Sequence, residues 1–152
     1  MDLVDLLKSR RDRIVDRTLE AMRRAHLSHY EALGAEQTRR LVESLFDVTV
    51  TTIAGREARP MLQTVDRIAE ERYTRGFDLF EVQTAFNGLE EATWREVAEA
   101  VAPERLAESL GLVSTALGAG KQALAIEYVS LVGQEARRIQ SLDLSALFKG
   151  TA

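Results

Sequence analysis

The apolar residues in the last third of the chain recur at one interval, and that interval leaves few choices of fold. Leu106, Leu110, Val113 and Leu117 keep 4-3-4 spacing, and Leu124, Tyr128, Leu131, Ile139 and Leu142 continue the stripe. This is the period of an amphipathic helix, not the alternation of a strand. One helix over the whole stretch spans ~55 Å at ~1.5 Å per residue. A chain of 152 residues folds to a radius of gyration of only ~15 Å. Such a helix overhangs its own domain, and its stripe then needs cover from a second copy or a partner. The competing expectation is a break at Gly118–Gly120, where each glycine weakens a helix by ~1 kcal/mol relative to alanine. Leu117, Leu124, Tyr128 and Leu131 are the candidate dimer or partner interface.

The rest of the chain reads as helix too. Leu3, Leu7, Ile14, Leu19 and Met22 fall near one face and predict a first helix over about 3–26. A second is expected from about Glu36 to Ala54, with Leu41, Val42, Leu45, Phe46 and Ile53 inward and Gly55 as its C′ stop. Within it Val48-Thr49-Val50-Thr51-Thr52 has strand propensity. The helical period on both sides and the lack of a partner strand decide for helix. Pro60 suits a helix start, because its missing N–H is unpaired there anyway. Gly76 closes that third helix. Asp78 and Glu81 have capping-box spacing, with Phe77 and Val82 placed as a hydrophobic staple around them. A fourth helix runs from there to about Ala102. The expectation is an all-α single domain of five to six helices, globin-like or a helical bundle, with a long C-terminal helix. The domain takes residues 1–143, and 144–152 is a short tail whose Leu144, Leu147 and Phe148 are apolar enough to dock.

Composition excludes much chemistry. There are no cysteines and two histidines, so disulfides, thiolate metal sites and most nucleophile–base pairs are ruled out. The formal net charge is −4, with the acidity concentrated in residues 77–110, which hold eight acidic and two basic side chains. That stretch is a candidate docking face for a basic partner. No basic stripe marks a nucleic-acid binder. No run approaches the ~20 apolar residues of a membrane span, and Asp2, Asp5 and Lys8 interrupt any signal-peptide pattern. The expected location is the cytoplasm, with neither nucleic acid nor membrane as partner.

Gly120-Lys121 hints at a phosphate loop, but Thr115 and Gln122 stand where that motif needs glycine and a hydroxyl residue. His26 and His29, three apart, could share a metal. At the end of a helix, the same residues complement its dipole instead. Glu70-Glu71, Glu90-Glu91 and Asp78/Glu81 read as solvated helix faces, since adjacent helical residues point about 100° apart. No catalytic residue, metal ligand or cofactor is expected. Tyr73, Phe77, Phe86 and Trp94 form a candidate pocket for a small ligand, against core packing as the plainer reading.

Two segments carry a family resemblance. The first is Leu6-Leu7-Lys8-Ser9-Arg10-Arg11-Asp12-Arg13-Ile14-Val15-Asp16-Arg17, with Tyr30 following. The second is Arg72-Tyr73-Thr74-Arg75-Gly76-Phe77-Asp78-Leu79-Phe80-Glu81-Val82, then Ala85, Phe86 and Leu89. Over most of residues 3–140 the chain resembles the RsbR/RsbRD-type N-terminal domains of bacterial stress signalling (stressosome co-antagonists), also found ahead of histidine kinases. The resemblance implies a non-enzymatic helical sensor domain, usually dimeric, that passes a signal along its C-terminal helix. It also implies a protein partner in the pathway and a haem-free, globin-like fold. Such domains precede an output module, a STAS domain or a kinase. This sequence ends at Ala152, so the expectation is a standalone version or a piece of a longer protein. The alternatives are a helical sensor for a small ligand or haem/tetrapyrrole and, third, a metal-dependent enzyme at His26 and His29.

Overall fold

The computed structural model describes residues 1–150, except for the side chains at 143–145, 147, 148 and 150. Seven α-helices account for the described chain: α1 (Leu3–Ser9), α2 (Arg11–Arg24), α3 (Ser28–Leu33), α4 (Ala35–Gly55), α5 (Arg59–Thr74), α6 (Leu79–Ala100) and α7 (Pro103–Gly150). The all-α expectation holds, with more helices than the five or six foreseen. The first predicted helix is two, because Arg10 leaves helical geometry at φ −104° and ψ 10°. The Arg10 N–H bonds the carbonyls of Leu6 and Leu7, closing α1 as α2 begins. The six-residue α3, between the predicted first and second helices, carries Tyr30 inward.

The helix signals in the sequence act largely as read. The Asp78 side chain accepts from the Glu81 N–H at 2.8 Å, and Glu81 reaches back to the Asp78 N–H, completing the capping box. Phe77 and Val82 are both buried beside it. The β-branched run 48–52 is helical, and Thr49 and Thr51 donate to the carbonyls four residues back. Gly55 is not the stop. Arg56 takes the left-handed conformation instead, at φ 49°, and Gly76 does so after α5, at φ +87°.

The core lies where α7 packs on α5 and α6, with α2 against α6 and α4 bridging α2, α5 and α7. Phe46, Phe86, Met61, Leu89, Leu117 and Leu124 are wholly enclosed there, each contributing roughly 1.5–3 kcal/mol by burial. The helix α7 does not break at Gly118–Gly120. A Cβ on Gly120 would lie 2.9 Å from Met61 Sδ and 3.0 Å from Phe86 Cε1, so the bare backbone at Gly120 lets α7 pack tightly on α5 and α6. Tyr128 is the last buried side chain described on α7, and Leu131 beyond it packs half-buried against the core. From Val129 to Gly150 the helix runs another ~33 Å. It passes through the expected boundary at 143. Docking of the tail through Leu144, Leu147 and Phe148 concerns side chains outside the described residues.

Candidate functional site

The candidate interface divides on inspection. Leu117 and Leu124 are fully enclosed, and Tyr128 is 4% exposed, so all three pack on the chain's own core. They lie on the segment of α7 that α5 and α6 cover. Leu131 is half-buried. The apolar surface lies elsewhere on the same helix, at Ile126, Val129, Val132, Ile139 and Leu142, which are 47–71% exposed. The sequence stripe is one face of α7, covered by the chain's own domain up to Tyr128 and uncovered beyond it at Val132, Ile139 and Leu142, while Ile126 and Val129 lie on other sides of the helix. In the outer part Val132, Glu135, Ile139, Leu142 and Ala146 keep 3-4-3-4 spacing, the heptad seam of a coiled coil.

The candidate pocket divides too. Phe86 is in the core, and Trp94 is 43% exposed on α6 under the Arg95 guanidinium, 5.6 Å from the ring centre. Tyr73 and Phe77 do come together. With Leu79, Tyr128, Val129 and Val132 they line an open apolar groove of about 530 Å³ between the α5–α6 corner and α7. The Tyr73 ring meets Tyr128 edge-on at 5.7 Å. The Tyr128 hydroxyl donates to the Phe77 carbonyl at 3.0 Å, and the Tyr73 hydroxyl donates to Glu135. The Glu135 carboxylate holds the Tyr73 phenol above its ordinary range, and burial pushes Tyr128 up to about 12. The groove therefore opens directly onto the start of the uncovered part of α7.

Three charged side chains that sequence reading left on solvated faces, or passed over, are buried: Arg72, Glu81 and Glu96. Arg72 Nε donates to the Tyr30 hydroxyl at 3.4 Å, and its guanidinium lies over the Tyr30 and Phe77 rings. Glu81 accepts from the His29 backbone N–H at 3.0 Å and faces His29 Nδ1 at 2.5 Å. It thereby fastens α3 to the start of α6. Glu96 meets Arg10 at 2.6 Å and Arg13 and Arg17 at 3.4 Å each. The signal was positional: Glu81, Ala85, Ala92 and Glu96 share the inner row of α6 with Leu89, and Arg72 follows Val65 and Ala69 on the inner row of α5.

These contacts reduce the acidic stretch as a docking face. Glu90 pairs with Lys121, Glu91 with Arg95, Glu99 with Arg17 and Glu108 with Arg56, while Glu96 is clasped by α2. The two histidines turn to different carboxylates: His26 to Glu31 at 3.5 Å and His29 to Glu81. Among the described residues no three His, Asp or Glu converge as for a metal. No described helix is long and apolar enough to cross a membrane. Lys121 of the phosphate-loop look-alike serves the Glu90 pair.

Comparison with known proteins bears on this arrangement. The family described as RsbT co-antagonist protein rsbRD N-terminal domain matches residues 12–143. No curated protein matches, and no solved structure does.

Proposed function

The chain belongs to the rsbRD N-terminal domain family, and from that premise we propose that it is a non-enzymatic regulatory domain of cytoplasmic signal transduction. It works as a homodimer that transmits through the outer part of α7 to a protein partner. The observation that carries the reading is the overhang of α7, an apolar seam that its own domain leaves uncovered. A second copy suits it best. Val132 and Ile139 at the a positions and Leu142 at d are the choices that favour two parallel strands. The packing of α5 and α6 on α7 and of α2 on α6 is compatible with the globin-like arrangement that the family resemblance implies.

Light scattering on the purified chain tests this. The expected mass is twice 17.0 kDa, falling to one copy in Val132→Asp and Ile139→Asp with the helical circular dichroism kept. A wild-type chain that stays at one copy at the highest workable concentration overturns the dimer. Unchanged mass in both variants moves the interface off α7.

A further inference from the structure

Glu135 is out of place in the seam. The register that puts Val132, Ile139 and Leu142 inward puts Glu135 inward as well, at the d position between Val132 and Ile139. In a parallel pair the d residues of the two copies face each other, so two carboxylates meet there. Like charges taken together from water oppose association. A polar residue at one core position of a coiled coil lowers stability and fixes register.

The chain already provides a partner for this carboxylate. The Tyr73 hydroxyl, from the last turn of α5, donates to Glu135 across the groove. The Tyr73 ring leans on Tyr128, and Tyr128 holds the Phe77 carbonyl at the α5–α6 corner. Phe77 in turn packs edge-on against Tyr30 at 4.8 Å. The hydroxyl that satisfies the seam carboxylate is thus set by the packing of the corner.

Resting on the parallel-dimer reading, we propose that Glu135 is the specificity-determining residue of the seam and that Tyr73 is its positioning partner. The pair couples the α5–α6 corner to the strength of the dimer. With Tyr73 in place, Glu135 is hydrogen-bonded and the copies associate in one register. When the corner shifts and Tyr73 withdraws, two carboxylates confront each other without a donor and association weakens. The seam is built to be reversible and to respond to the groove beside it.

Sedimentation equilibrium on the full chain tests this through a double-mutant cycle. Tyr73→Phe deletes only the hydroxyl, and the dimer dissociation constant should rise about tenfold, as for loss of a hydrogen bond to a charged group. Glu135→Leu completes the apolar seam and should tighten the dimer at least about tenfold. In the Glu135→Leu background, Tyr73→Phe should leave the constant unchanged. The proposal is overturned if Tyr73→Phe is silent in the wild type, if Glu135→Leu does not tighten the dimer, or if the Tyr73→Phe effect persists in the Glu135→Leu background. Val132→Asp run alongside separates the failures. If it dissociates the dimer while the cycle fails, the seam stands and the role of Glu135 falls. If it does not, the seam itself falls.

Discussion

Glu96 is 1% exposed with Arg10, at the α1–α2 junction, and Arg13 and Arg17 of α2 around it, so replacing it leaves positive charges facing one another at a helix contact. Breaking a fully buried pair from one side costs about 3–5 kcal/mol; Arg10, Arg13 and Arg17 keep contact with water, which lowers the expectation for Glu96→Ala to about 2–3 kcal/mol. Urea unfolding measures it, and Glu99→Ala, at an exposed pair, should change stability by under about 1 kcal/mol. Tyr128 gives a pH dependence. Its phenol is raised by burial from 10.0 to about 12, so the folded state favours the protonated form. That contribution is whole below pH ~10 and is lost as the pH climbs through ~12. The denaturation midpoint should fall across that window. Tyr128→Phe should flatten part of the fall and cost ~1 kcal/mol at neutral pH through the lost bond to the Phe77 carbonyl. Some slope remains, because Tyr30 and Tyr73 are raised as well. Residues of this kind were hard to read from sequence. A glutamate on a helix is most often solvated, and only the alignment of Glu81 and Glu96 with Leu89 marks them as inward. Which arginines would meet Glu96 depends on how α2 lies against α6, and no local pattern encodes that.

The two glycines of α7 read alike in sequence and differ in place. Gly118 has nothing within 4 Å of the position its Cβ would take, so Gly118→Ala should stabilise by up to ~1 kcal/mol through helix propensity. Gly120 meets Met61 and Phe86, both themselves enclosed, so Gly120→Ala should lose that gain to overpacking and destabilise by about 1–2 kcal/mol. A pair of thermal melts decides between them, and similar shifts would remove the close-approach argument. Elements with local signals were legible: the capping box at Asp78, the proline start of α5 and the period of α4 through its β-branched run. The split at Arg10 and the short α3 were not, because no glycine or proline punctuates residues 3–33 and tertiary packing sets those turns. The seam on α7 was half legible. Its length and its face were plain, but where cover ends along the stripe, near Tyr128, depends on how far α5 and α6 reach along α7.

At the scale of the molecule, stability and assembly occupy different parts of one helix. Among the described residues every buried side chain of α7 lies at or before Tyr128, so a chain ending at residue 131 should keep its cooperative melt and run as a single copy. A large loss of helicity in circular dichroism, beyond the removed turns, would show that the overhang supports the fold. Within the acidic stretch Glu91, Glu96, Glu99 and Glu108 meet the chain's own arginines and Glu90 meets Lys121. Since α7 is unbroken where it packs on Met61 and Phe86, Gly120 is the fulcrum of a lever. Leu142 lies ~33 Å along the axis from it. A tilt of about 10° at the crossing sweeps Leu142 sideways by about 6 Å, more than the rise of a full helical turn.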